Sequence, residues 1–494
     1  MSWPAVGCLA KHCVSSVKKP CSAAHDRMSW NLRSGMHEAP QFSAAEERLF
    51  RKALREAKET RVLAIENGVR QRVAQHFDAV MGRAKAIVIS DRRIDQIAGR
   101  EVQSHLESVG LAAGKPILLP EAVPAEMSFV DRLVAQLQTN DAIPVAVGSG
   151  TINDLTKLAA SRVGRDYLVV ATAASMDGYT AFGASITEQG SKQTFACPAP
   201  RAVLADLEII CRAPVDMNAA GYADLLAKGV AGADWILANA AGIELIDPVA
   251  WPMVQDQLPA WVSAPEQIAA GHPQSIFRLT WGLMMTGLAM QATRSSRPAS
   301  GAEHQFSHLW DMQHHTYLGL APSHGFKVGI GSLASLRLYQ FLLKQDWRNW
   351  NLPAVASAWP SWDQTAARVV QIMGAGELGE KALEETNAKY PDQQALLRQL
   401  RQLQDQWPDL RQRLERHLQP FLRTAELLQA AGAPSTPEQI GISQERLRAS
   451  YEQAAYLRRR FTILDLIMRL GLFEKALDAL FPMNPPAARS GAGS

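Results

Sequence analysis

The sequence predicts an α/β N-terminal domain followed by an all-α C-terminal domain, and two observations carry this. Short apolar runs rich in β-branched residues alternate with helical stretches as far as residue 206. Beyond that point only helical periodicity continues. The length of 494 residues allows several domains of about 150 residues and a core that needs no disulfide or metal staple. A hydrophobic content of 47% with 20% charged residues excludes wholesale disorder. A net charge of +3 argues against a broad polyanion surface, so no nucleic-acid partner is expected.

The elements follow in order. Ser43 is an N-cap for a charged, periodic segment, and residues 44–80 are predicted to be helical. Ala86–Ser90, Pro116–Leu119, Ile143–Val147 and Tyr167–Ala171 read as buried strands of a parallel sheet, with Pro144 weakening the third. Helices are expected between them near Gln96–Ser108, Ser128–Gln138 and Asn153–Ser161. Later helices are expected at Tyr222–Gly242, Ser275–Thr293, Gln394–Gln419 and Ser443–Leu470. Within Asp392–Arg423, Pro408 and Pro420 are expected to divide the leucine-rich stretch into a helical pair. The domains are therefore 44–206 and 207–483. Residues 1–43 form a disordered leader or follow a misplaced start, with Met28 or Met36 as the true one, and 484–494 form a flexible tail.

Charge and cysteine are concentrated at the N-terminus. Residues 1–36 carry net +4, so the other 458 residues sum to −1. Cys8, Cys13 and Cys21 lie there, leaving Cys197 and Cys211 in the body. This is no secreted disulfide framework, and a reducing, cytoplasmic setting is expected. No run approaches the roughly 18 apolar residues of a membrane span.

Three segments carry chemistry. Gly148-Ser149-Gly150-Thr151-Ile152 stands between a strand and a helix. Glycines there admit a close ligand, and the helix start offers N–H groups to an anion such as a pyrophosphate; a tight turn is the alternative. Asp91, at the end of the first predicted strand, suits a ribose hydroxyl or a turn, while Arg92 and Arg93 suit a 2′-phosphate. Thr172, Ser175 and Asp177 fall in a polar loop at the end of a later strand, the edge where parallel sheets bind ligands.

Five of the 12 histidines fall within residues 304–324. His304 and His308 are four apart on one helix face, and Gln305 stands where a zinc protease needs glutamate. His304, His324 and Asp224, placed at a helix start, form a donor set for a divalent cation. Alternatively Asp224 is a cap or pairs with Lys228, and His314 and His315 are satisfied or surface residues.

These residues together resemble the glycerol-1-phosphate dehydrogenases. The motifs are Gly148-Ser-Gly-Thr-Ile-Asn-Asp154, Thr172–Tyr179, Gly221–Lys228, Ser296-Arg-Pro-Ala-Ser-Gly-Ala-Glu-His304 and His324-Gly-Phe-Lys-Val-Gly329. Arg458-Arg-Arg-Phe-Thr-Ile-Leu-Asp-Leu466 is similar to the bacterial branch of the group. The superfamily also holds iron-dependent alcohol dehydrogenases, glycerol dehydrogenase and dehydroquinate synthase. The resemblance spans about residues 45–480 and implies a dehydroquinate synthase-like fold, with a dinucleotide-binding first domain and a metal- and substrate-binding second one.

By position, the resemblance implies that Asp91, Gly148, Ser149, Gly150, Thr151, Ile152, Thr172 and Ser175 bind NAD or NADP. It implies that Asp224, His304 and His324 hold one divalent ion (Zn, Ni or Fe). It implies that Asp177, Asp224 and His308 meet a small phosphorylated polyol or ketone as catalytic residues, in a homodimer. Ala181 departs from the family, which commonly has a serine contacting the cofactor there; neighbouring Thr180 is a candidate to replace that hydrogen bond and is not assigned to it. Lys157, Lys228 and Lys327 are candidates for the substrate phosphate. Another polyol dehydrogenase, or a dehydroquinate synthase-like lyase, is the alternative activity.

Overall fold

The computed structural model describes residues 42–188 and 191–482. The expected leader, its alternative start sites and the expected tail lie essentially outside them. Six parallel strands form the main sheet: β1 (Val62–Glu66), β2 (Ala86–Asp91), β3 (Ile117–Leu119), β4 (Ile143–Gly148), β5 (Leu168–Ala171) and β8 (Ala202–Asp206). Their order is β1-β8-β5-β4-β2-β3. Two further strands, β6 (Ala184–Glu188) and β7 (Ser191–Phe195), make a separate antiparallel hairpin.

Both faces of the sheet are covered, which is why its strands read as continuous apolar runs. Val88, Val145, Val147, Val170 and Leu204 pack on one side with Val73, Phe77, Val102 and Leu106. Ile87, Ile89, Ala146, Val169 and Val203 join the main core on the other. Pro144 pairs with Ile87 of β2, but pairing to β5 starts only at Val145, so the missing N–H falls at the start of the strand.

Four strands depart from expectation. β1 lies inside the segment predicted as helix over 44–80, which is instead the Ala44–Ala57 helix, β1, a 3₁₀ turn and the Val73–Met81 helix. β6, β7 and β8 carried no strand prediction. Ser43 does cap the first helix, in a reciprocal box with Glu46. That helix packs against the Pro273–Thr293 helix, and Phe42 meets Phe277 and Trp281, so this first segment packs against the helical half.

The C-terminal half is helical as predicted, with corrected boundaries. Tyr222–Gly242 is two helices, Val215–Leu226 and Lys228–Ala240. Ser443–Leu470 is also two, Gln444–Ala455 and Ile463–Arg469. Conversely Gln393–His417 runs unbroken through Pro408, because its apolar stripe of Leu396, Leu400, Leu403, Trp407, Leu410 and Leu414 is buried along the whole length. Pro420 lies past its end. Among the described residues, no helix is long and apolar enough to cross a membrane.

Two glycines bring the functional segments together. A Cβ on Gly221 would lie 1.8 Å from the Ala174 carbonyl oxygen, and one on Gly325 would lie 1.9 Å from that of Ala220. The Val215–Leu226 helix can therefore touch both the loop after β5 and the His324–Leu343 helix.

Candidate active site

A cavity of about 870 Å³ lies between the sheet's C-terminal edge and the helical half. Ser149, Gly150, Thr151, Ser175, Asp177, His304, His308 and His324 all line it. Phe182, Ser185, Lys192 and Thr194, in and beside the β6–β7 hairpin, line it too. The glycine loop sits at the end of β4 and starts the Gly150–Arg162 helix. Ser149 occupies the N-cap without a side-chain cap bond, which leaves the first N–H groups of that helix for an anionic ligand.

Four predicted cofactor residues lie behind or beside this wall. Gly148 and Ile152 are buried beneath the loop. Thr172 is buried, and its N–H donates to the Gly148 carbonyl at 3.1 Å. Asp91 ends β2 at the switch point of the sheet, where β2 and β4 adjoin. Its Oδ1 accepts from the N–H groups of Arg93 (2.9 Å) and Ile94 (2.8 Å), so it also serves as the turn residue. Thr180 does not replace the family serine at Ala181: its hydroxyl is buried and donates to the Met284 carbonyl at 2.6 Å.

Asp224, His304 and His324 come together, each offering a donor atom within 4.8 Å of the others. Asp224 is fully buried near the end of the Val215–Leu226 helix, not at a helix start as the sequence suggested. It pairs with Lys228 Nζ through Oδ1 at 2.6 Å and accepts from the Asp177 N–H through Oδ2 at 3.2 Å. The proposed metal donor and the proposed lysine partner are thus one residue. Lys228 also reaches Asp177 Oδ2 at 2.8 Å.

The donor set suits a divalent cation. His304 Nδ1 meets Glu303 Oε1 at 2.8 Å, which leaves Nε2 facing Asp224 at 3.7 Å. His324 Nδ1 meets Ser307 Oγ at 3.3 Å, which likewise leaves Nε2 free. Burial, with the Lys228 charge, holds the His304 imidazole neutral. Burial and Lys192 bring His324 down to about 3. Two neutral imidazoles, each with its Nδ1 engaged, and the Asp224 carboxylate, whose Oδ1 faces His304 and also carries Lys228, make a donor set of the kind a cation such as Zn²⁺ takes.

His308 lies next in this row, its ring centroid 6.2 Å from His304 and 6.3 Å from His324. Burial, then the Arg458 charge, holds it neutral as well. His315 is satisfied, as expected: it meets the Ile440 carbonyl at 2.6 Å and Arg446 at 2.7 Å.

The three candidate phosphate lysines are all engaged elsewhere. Lys157 Nζ donates to the carbonyls of Gly178, Ala181 and Gly183 at 2.9, 2.9 and 3.0 Å. Lys228 holds two carboxylates. Lys327 is paired with Asp311. Sequence reasoning missed Glu303, Lys192 and the cavity-lining Arg458–Arg460. It also left Gln305 without a role, although its buried amide lines the cavity with neither polar atom partnered. The run of three arginines was visible in the sequence, but nothing local places it beside histidines about 150 residues earlier.

Comparison with known proteins agrees with this geometry. Residues 64–214 match the family model of iron-containing alcohol dehydrogenases. The structure of a probable glycerol dehydrogenase from Sinorhizobium meliloti superposes with a TM-score of 0.55 at 14% identity, over 85% of this chain and 97% of that one. Fold and sequence match together define an oxidoreductase of the iron-containing alcohol dehydrogenase superfamily. A glycerol-1-phosphate dehydrogenase (NAD(P)+) from Geobacillus stearothermophilus is 30% identical, over 79% of this chain and 88% of its own length. One from Halalkalibacterium halodurans is 34% identical, over 52% of this chain and 66% of its own length. Within the superfamily, the chain belongs to the glycerol-1-phosphate dehydrogenase family.

Proposed function

We propose that this chain interconverts dihydroxyacetone phosphate and sn-glycerol 1-phosphate as a metal-dependent, NAD(P)-linked dehydrogenase. The observation that carries this reading is the Asp224–His304–His324 donor set at the cavity that Ser149–Thr151 also line. Residues 44–206 hold the cofactor through Asp91, Gly148–Ile152, Thr172 and Ser175, and residues 207–483 hold metal and substrate. When bound, the cation (Zn, Ni or Fe) would supply Lewis acidity and the nicotinamide cofactor would supply the hydride donor or acceptor.

The chain's own residues do the rest. Lys228 holds Asp177 and Asp224 in one arrangement, so the substrate meets a fixed carboxylate pair. His308, kept neutral, takes the hydroxyl proton at a ring nitrogen during glycerol phosphate oxidation and returns it during ketone reduction. Lys192 of the β6–β7 hairpin and His304 of the helical half both line the cavity. A homodimer is part of the same reading.

The test is NADH oxidation with dihydroxyacetone phosphate by metal-stripped protein, with and without added Zn²⁺, Ni²⁺ or Fe²⁺. Metal-dependent turnover is expected, and its absence would sink the proposal. Faster turnover of unphosphorylated glycerol would assign a polyol dehydrogenase instead. Light scattering on the eluted protein checks the dimer.

A further inference from the structure

A phosphate monoester bound in a cleft needs a cationic donor that is not already spent. Around this cavity almost every cation is. Lys157, Lys228 and Lys327 are engaged as described. Lys192 Nζ lies 3.3 Å from Asp311 Oδ2, a carboxylate it shares with Lys327. Arg459 pairs with Glu385 at 2.7 Å and with Glu384 at 3.0 Å. Arg460 donates to the Ser300 carbonyl at 2.7 Å and to Ser296 Oγ at 2.8 Å.

Arg458 is different. It lines the cavity, and among the described residues its guanidinium has no hydrogen-bond or ion-pair partner. Its backbone is held on the C-terminal side: the Arg459 N–H donates to Glu385 Oε2 at 2.7 Å, and Arg460 ties the segment to the loop that leads into His304. Arg458 is exposed and lines the same cavity as His308. An unpaired guanidinium presented by anchored neighbours matches the two-pronged geometry of a phosphate oxygen pair.

We propose that Arg458 recognises the phosphate of the substrate, and that this contact makes the cleft select phosphorylated three-carbon polyols and ketones over unphosphorylated ones. The inference rests on reading the cleft as a polyol phosphate site. The neighbours have separate roles: Arg459 and Arg460 are anchors, and Arg458 alone faces the ligand.

The experiment compares wild type, Arg458→Ala and Arg458→Lys with dihydroxyacetone phosphate, with unphosphorylated dihydroxyacetone and with inorganic phosphate as inhibitor. In Arg458→Ala the KM for dihydroxyacetone phosphate should rise about 30-fold or more, with kcat within about 3-fold. Phosphate inhibition should weaken in parallel, turnover of dihydroxyacetone should not change, and Arg458→Lys should recover part of the affinity. A KM and a phosphate inhibition within about 2-fold of wild type would overturn the proposal. So would equal losses with both substrates in both variants, since that marks a structural role. If wild type reduces neither ketone, the functional reading fails separately, and calorimetric binding of glycerol 1-phosphate to the metal-loaded protein decides Arg458. Binding to wild type that Arg458→Ala loses upholds it; equal binding, or none to either, overturns it.

Discussion

On the sheet side of the cleft, Ser149, Gly150 and Thr151 meet the cavity with a helix start and small side chains. On the helical side, His304, His308 and His324 meet it with imidazoles above a fully buried Asp224–Lys228 pair. The first wall offers backbone groups and open space, so a substitution there acts by steric exclusion. The second offers titratable groups taken out of water, each costly unless partnered. That cost explains why each of these groups has a polar partner behind it: Glu303 meets His304, Ser307 meets His324, and Asp177 shares Lys228 with Asp224. Burial also raises the Glu303 carboxyl to about 7, so this partner is itself held by its surroundings, with Gly301 N–H donating to it at 2.7 Å.

Substitutions on the two walls should therefore separate metal from cofactor. The largest effect is expected from His304→Ala, which removes a proposed metal donor and should lower turnover on the order of 10³-fold or more, with metal content near zero by mass spectrometry. Full activity would show that the donor set is wrong. Next is Glu303→Gln, which keeps the shape but weakens the partner of His304. Metal affinity should fall about 10- to 100-fold in a chelator competition, while cofactor binding stays intact. On the opposite wall, a Cβ on Gly150 would lie 2.6 Å from Met176 Cε, the movable end of a side chain. Gly150→Ala should raise the KM for the nicotinamide cofactor about 10-fold and leave metal content unchanged. Loss of metal in that variant would break the division between the walls.

The smallest effect concerns pH. Burial opposes ionisation of Asp311, but Lys192 and Lys327 beside it more than offset this and hold its carboxyl below the usual range. A depressed folded value means stability that is present above the unfolded value near 4 and is lost as pH falls through the folded one. Asp311→Asn should therefore cost about 1–3 kcal/mol at neutral pH and flatten the acid limb of a denaturant-midpoint profile. An unchanged slope below pH 4 would remove the pair from the account.

Much of this was legible in the sequence. Four strands, the glycine loop and the Asp224–His304–His324 set stand out because each is a local pattern or a familiar spacing. β1 was not legible, since Val62–Glu66 is short and lies between two helical segments whose periodicity runs up to it on both sides. Only its pairing with β8, about 140 residues later, makes it a strand. Pro408 misled for the opposite reason: burial of the stripe on either side carries the helix across it. The three lysines were reasonable phosphate partners by type, and each is spent on a carbonyl or carboxylate that local sequence does not reveal.

The sequence by itself determined the alternation of α and β in the first half, the helical second half, and the residue types able to bind an anion or a cation. These are written in short-range periodicity and in side-chain chemistry. Tertiary structure decided which charges are already neutralised and which remain available. It placed Asp224 in an ion pair beside His304 and His324, engaged Lys157, Lys228 and Lys327, and left Arg458 lining the cavity unpaired. The physical reason is that charge pairing depends on distance through space and on loss of water, and neither is a property of neighbouring residues along the chain.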